Sequence, residues 1–260
     1  MDIGIRGQKA IVGGGSKGIS RAAARRLSLE GANVVIVART EATLRDAAAA
    51  ISAESGVEVD IFATDLTSPS GRKALLDAFP DTAILVTNAG VPQRPIAFRD
   101  LTRDDWNHWF EAHFHSAIDL IHAYVPGMCE RGFGRIVNVS ANFIKFPQAG
   151  VGHSHAARLA LAGAIAALVR EVAPYNVTIN SVLPGLIDTD ALRTALTSRA
   201  EARGVPYEEI EREMRTHTAA NRLADPQEAG DLIAMLCAAQ MGYVTGQNIV
   251  NDGGAYQGLF

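Results

Sequence analysis

The chain has 260 residues, 48% of them apolar, enough to bury the core of one large α/β domain or two small ones. Its net charge is −4, with scattered basic residues and no charged tail, which argues against nucleic acid or an anionic membrane surface as partner. Cys129 and Cys237 have no metal or redox spacing and read as free thiols of a reducing compartment. With no signal-peptide pattern and no apolar run of bilayer length, a soluble cytoplasmic protein is expected.

An apolar run from Lys9 breaks at Gly13-Gly14-Gly15 and resumes as an Ala- and Arg-rich helical pattern over 19–30. A strand feeding a tight glycine turn that opens a helix is a phosphate site. Glycine lets the backbone approach an anion, and the first N–H groups of the helix have no partner inside it. A second apolar strand over 33–38 completes a βαβ unit and turns a weak glycine signal into an expected dinucleotide site. Thr40 caps a helix running to residue 55, with Leu44, Ala47, Ala48 and Ile51 on one face. Val57, Val59 and Ile61 alternate as a third strand, and Ser68-Pro69 opens the next helix. Residues 83–86 read as a buried strand ending at Thr87-Asn88-Ala89-Gly90, and a Pro-rich loop follows.

Residues 103–131 read as one long helical stretch, 135–139 as a fifth strand and 155–173 as a helix apolar on nearly all sides. A sixth strand is expected over 177–182, polar and mostly helical chain over 188–222, a helix from Asp225-Pro226 to residue 240, and a last strand over 247–250. Strands alternating with helices imply a Rossmann-type α/β fold, a doubly wound parallel sheet of about seven strands with helices on both faces. Nothing suggests a linker or repeat, so 1–260 is taken as one domain.

These motifs resemble the short-chain dehydrogenase/reductase family along essentially the full length, and within it most the 3-oxoacyl-carrier-protein reductases. The family's Thr-Gly-x-x-x-Gly-Ile-Gly turn is met by Gly13-Gly14-Gly15-Ser16-Lys17-Gly18-Ile19-Ser20. Its Asn-Asn-Ala-Gly is met by Thr87-Asn88-Ala89-Gly90, and its Asn-x-Val-x-Pro-Gly-x-x-x-Thr by the stretch from Asn180 to Thr189. The resemblance implies that Gly14, Ser16, Gly18 and Ile19 shape the pyrophosphate turn. It puts Asp65 and Leu66 at the adenine, Asn88 and Gly90 at the adjoining ribose, Thr189 at the nicotinamide carboxamide, and 188–222 in a substrate lid. An NAD-specific member usually ends its second strand in an acid. Here Ala38-Arg39 stands there, and Lys17 precedes the second glycine, so NADP is expected in preference to NAD. Gly13 for Thr and Ser20 for Gly are expected to strain or loosen the turn without abolishing binding.

The family's catalytic Asn, Ser, Tyr and Lys fall on His113, Ala141, Ser154 and Arg158, so all four are changed. Slipping the register by one residue offers His153 and Ala157 and still no lysine. Ser154 is a shorter and poorer acid than Tyr, Ala141 removes the donor that would polarise a carbonyl, and Arg158 can hydrogen-bond a ribose but keeps its charge and cannot relay a proton. Loss of a general acid costs ~10²–10⁴ in rate. The pairs His113/His115 and His153/His155 are poor metal clamps, since helix residues two apart diverge, and no metal is expected. His113 is a candidate replacement acid, with a near-neutral pKa, set against a plain hydrogen-bonded helix histidine. Three readings stay open. They are a divergent NADP(H) oxidoreductase acting on a small molecule, a non-catalytic dinucleotide-binding protein, and a non-redox enzyme on the same fold. A homo-oligomer, dimer or tetramer, is implied by the resemblance and by the apolar helix over 155–173.

Overall fold

Seven parallel strands form one sheet in a computed structural model that describes residues 2–91 and 95–259. They are β1 (Lys9–Gly13), β2 (Asn33–Ala38), β3 (Asp60–Ala63), β4 (Ile84–Thr87), β5 (Gly134–Val139), β6 (Val177–Pro184) and β7 (Asn248–Asn251). Their spatial order is β3-β2-β1-β4-β5-β6-β7. The order reverses between β1 and β4, and the crevice beyond the strand ends at such a reversal is where ligands of this architecture bind.

Successive side chains of β1 explain the two layers of helices. Ala10 and Val12 point into one core with α1 (Gly18–Leu29), α2 (Glu41–Ser55) and α9 (Pro226–Leu236). Ile11 points the other way, into a core with α3 (Pro69–Ala78), α5 (Ser116–Glu130) and α6 (Gly152–Val172). Among the described residues, no helix is long and apolar enough to cross a membrane. The expected Pro-rich loop falls partly on residues 92–94, outside the described residues.

Four expectations need correction. The third strand begins at Asp60, where pairing with Val35 starts, and not at Val57. The N–H groups of Val57 and Val59 are taken by the hydroxyls of Ser55 and Ser52 at the end of α2, which keeps them out of the ladder. The stretch 103–131 is not one regular helix. α4 (Arg103–Phe110), held by a Thr102–Asp105 capping box, passes through a π-helical turn, Glu111–His115, into α5. α9 stops at Leu236, short of residue 240. Lastly, α6 starts at Gly152 and is not buried all round. Leu161, Ile165, Val169 and Val172 face the sheet, whereas Leu159, Gly163, Ala166 and Ala167 are open to solvent in the single chain. The stretch expected as a lid, 188–222, contains α7 (Asp190–Arg203) and α8 (Tyr207–Arg215) around a small core of Leu196, Ala200 and Ile210.

Candidate cofactor cleft and active site

The glycine turn is built by close backbone approach. Gly14 and Gly18 have φ of +67° and +55°, which L side chains rarely adopt. A Cβ on Gly13 would lie 2.7 Å from the Asn88 carbonyl oxygen, so the ends of β1 and β4 meet where a side chain would otherwise stand. Ser20 joins the turn to the residue after β4. Ser20, 1% exposed, accepts through its hydroxyl a hydrogen bond of 3.0 Å from Asn88 Nδ2, while Asn88 Oδ1 accepts the Gly90 N–H at 2.9 Å. The small hydroxyl thereby ties α1 to the end of β4.

Beyond this turn lies a cleft of about 510 Å³. Of the expected cofactor residues, Gly14, Ser16, Lys17, Gly18, Ile19, Arg39, Leu66, Asn88, Gly90 and Thr189 line it. Val37, Thr40, Thr43, Thr64, Val91, Asp190 and Ala191 line it as well and were not named as cofactor residues from the sequence. Thr43 carries a signal that would have found it, because it sits one helical turn beyond Thr40 and shares its side of α2. Lys17 is exposed and pairs loosely with Asp190 at 3.9 Å; such surface pairs contribute little. Arg39, just past the end of β2, is exposed. The Thr189 hydroxyl caps α7, accepting the Leu192 N–H at 3.3 Å.

Two expected residues stand apart from the cleft lining. The Asp65 carboxylate is turned into its own loop, where Oδ1 accepts the Thr67 N–H at 2.9 Å and the Thr67 hydroxyl at 2.8 Å; only its neighbours Thr64 and Leu66 reach the cleft. Arg158 lies on α6 beside the end of β5, with the altered catalytic positions.

There the structure brings His113, Ser154 and Arg158 together. The π-helical turn carries His113, and Ser116 Oγ donates to the Ala112 carbonyl, one of the groups the turn would otherwise leave open. Arg158 Nε donates to Ser154 Oγ at 3.3 Å, Nη1 to the Val139 carbonyl at 3.4 Å, and Nη2 lies 3.4 Å from His113 Nε2. Ser154 is fully buried and Ala141 9% exposed. The Trp109 ring lies between two imidazoles, 5.3 Å from that of His113 and 4.7 Å from that of His153. His115 packs on Phe114 and His155 on Phe143, so neither histidine pair converges. Ser140, which sequence reasoning passed over, has a buried hydroxyl with no hydrogen-bond partner among the described residues.

Electrostatics correct the near-neutral acid expected of His113. Burial, then the Arg158 guanidinium and the imidazoles of His108 and His153, push it down to about 2, so it is neutral at physiological pH and can only accept from Arg158. Burial also pushes Arg158 down, to about 10, which leaves it charged at neutral pH. The cluster therefore holds one fixed positive charge, a neutral imidazole and a hydroxyl.

Comparison with known proteins adds context for both ends. A family model described as enoyl-(acyl-carrier-protein) reductase matches residues 14–256. The 3-oxoacyl-[acyl-carrier-protein] reductase of Vibrio cholerae is 31% identical, over 97% of this chain and 98% of its own. That of Escherichia coli is 30% identical over 97% and 98%. The crystal structure of L-sorbose reductase from Gluconobacter frateurii, complexed with NADPH and L-sorbose, superposes with a TM-score of 0.92 at 28% identity and covers 100% of both chains.

Proposed function

Because the chain belongs to the short-chain dehydrogenase/reductase family, a family of oxidoreductases, we propose that it is an NADP(H)-binding member whose active site has been rebuilt without the tyrosine–lysine pair. The observation that carries this reading is the contrast between a cleft lined by ten of the expected cofactor residues and a catalytic cluster of His113, Ser154 and Arg158 with no group that titrates near neutral pH.

In this reading Gly14, Ser16, Gly18 and Ile19 hold the pyrophosphate, and Lys17 and Arg39 meet the 2′-phosphate. Leu66 packs at the adenine, with the Asp65 carboxylate bracing the loop from behind. Asn88 and Gly90 approach the ribose and Thr189 the carboxamide. Arg158 donates to the second ribose. The NADPH held by the G. frateurii relative supports the choice of cofactor. When bound, the cofactor supplies a hydride. What the chain lacks is the proton that ordinary carbonyl reduction needs. Ser154 is a weak acid, Arg158 holds its proton, and His113 has none to give on the nitrogen that faces Arg158. The same observation favours a second reading, a protein that binds the dinucleotide without turning it over.

Titration calorimetry with NADPH and NADH, beside NADPH oxidation over 3-oxoacyl thioesters and simple ketones, tests both readings. The expected result is binding with NADPH preferred and negligible oxidation. Failure to bind either nucleotide would sink the proposal, and turnover at ordinary rates of ~1–10³ s⁻¹ would show that an acid is present after all. The open face of α6, with Leu159 45% exposed among small residues, supports a homo-oligomer packed through that helix. A monomer in sedimentation at micromolar concentration would contradict it.

A further inference from the structure

Two arginines show how this chain satisfies a guanidinium that it takes out of water. Arg135, 0% exposed, donates to the carbonyls of Gly134, Asn176, Ala238 and Ala239 and to Asn176 Oδ1 at 2.8–3.1 Å. Arg72, 3% exposed, donates to the Leu66 carbonyl at 3.0 Å and to the carboxylates of Asp119 and Glu111 at 2.8 and 3.2 Å. In the first, five short bonds to neutral oxygens replace hydration. In the second, two carboxylates also balance the charge.

Arg158 has neither arrangement. Its acceptors are the Ser154 hydroxyl, the Val139 carbonyl and the His113 imidazole, all neutral and all at 3.3–3.4 Å. Charge-assisted N–H···O bonds settle at about 2.7–2.9 Å. Among the described residues no carboxylate pairs with it, whereas Arg25, Arg72, Arg131, Arg193 and Arg222 all have one. The Phe143 ring centroid lies 5.9 Å from Cζ. A half-buried cation so served costs free energy unless something supplies the missing charge.

We propose that Arg158 anchors a site for a small organic carboxylate on α6, beside the end of β5. A carboxylate fits better than a phosphate. The uncompensated charge is a single positive one, a carboxylate can accept from the guanidinium N–H groups that the ribose does not take, and the cluster offers few donors beyond it. Ser154 Oγ accepts from Arg158 Nε and so keeps its own proton to donate to such a ligand. His113, neutral, does not compete for the anion as a second cation. The site rests on the proposed reading of this cluster as the ligand-facing end of the cofactor cleft.

The test is calorimetry of the NADP⁺-saturated protein with butanoate and with butanamide, which share size and shape and differ in charge. Butanoate is expected to bind about tenfold or more tightly than butanamide. That ratio, measured on each variant at its own saturating NADP⁺, should fall to about one in Arg158→Gln and survive in part in Arg158→Lys. Equal affinity for the two probes, or no butanoate binding up to about 50 mM, overturns the proposal, and this comparison on the native chain stands even if the variants do not fold. A preference that persists in Arg158→Gln also overturns it, by placing the anion on another cation such as Lys17 or Arg39. If the native chain fails to take up NADP⁺, the proposed function fails instead. The same ratio measured without cofactor then decides the carboxylate site independently.

Discussion

At the β1–β4 end of the cleft the chemistry rests on backbone. Gly14 and Gly18 hold positive φ, Gly13 lets the strand ends touch, and the first turn of α1 presents its free N–H groups. At the β5–α6 end everything rests on which side chain stands at four positions, and those positions hold His113, Ala141, Ser154 and Arg158. The first end absorbs substitution. Gly13 and Ser20 depart from the family pattern, yet Gly13 leaves room for the close approach of Asn88 and Ser20 accepts a bond from it. The second end cannot, because proton transfer needs a group of suitable pKa at a fixed place, and no neighbouring backbone can supply it. In the proposed reading, nucleotide binding and proton transfer are therefore separable.

The sharpest way to break this comparison is to restore the side chains alone. The combined variant His113→Asn, Ala141→Ser, Ser154→Tyr and Arg158→Lys should raise NADPH oxidation over a ketone panel by ~10²-fold or more, with single changes doing little, since residues that act as a unit are non-additive. No rise in a variant that still binds NADPH would mean the deficit is architectural. At the other end, Arg39→Ala should weaken NADPH by about tenfold and leave NADH within about twofold. A parallel loss for both nucleotides in calorimetry would remove Arg39 from the 2′-phosphate.

A smaller effect sharpens the electrostatic half of the comparison. His113 titrates near 6.5 in an unfolded chain and near 2 in the fold. Between those values the unfolded state binds more protons, so this contribution to stability is complete above about 6.5 and is lost as pH falls. Going from about pH 7 to about pH 5 should cost the native chain about 2 kcal/mol more than it costs His113→Asn. Thermal melts of both proteins at the two pH values measure this, and identical pH dependence would put the imidazole in water, away from Arg158, His108, His153 and Trp109. The smallest effect expected belongs to Ser20→Ala, which strips one partner from Asn88. It should cost about 1 kcal/mol, or about 2–4 °C in Tm, and an unchanged Tm would mean that the hydroxyl adds nothing to the turn.

Glycine placement and hydrophobic alternation are local properties, and they made much of this molecule legible from the chain. The strand–turn–helix at Gly13 to Ile19, the βαβ order and the parallel sheet all followed from neighbours in sequence. His113, Ala141, Ser154 and Arg158 were picked out by the resemblance to the family and not by local pattern. What stayed hidden depends on partners distant in sequence. The start of β3 was decided by pairing with β2 and by two serines of α2, although Val57 and Val59 alternate as a strand would. The π-helical turn at Glu111–His115 inserts one residue into a helical period, too small a change to read from apolar spacing. Above all, the protonation of His113 and the unbalanced charge of Arg158 exist only where α4, α5, α6 and β5 converge. Burial and the field of a neighbouring cation belong to the packed molecule and to no stretch of its sequence.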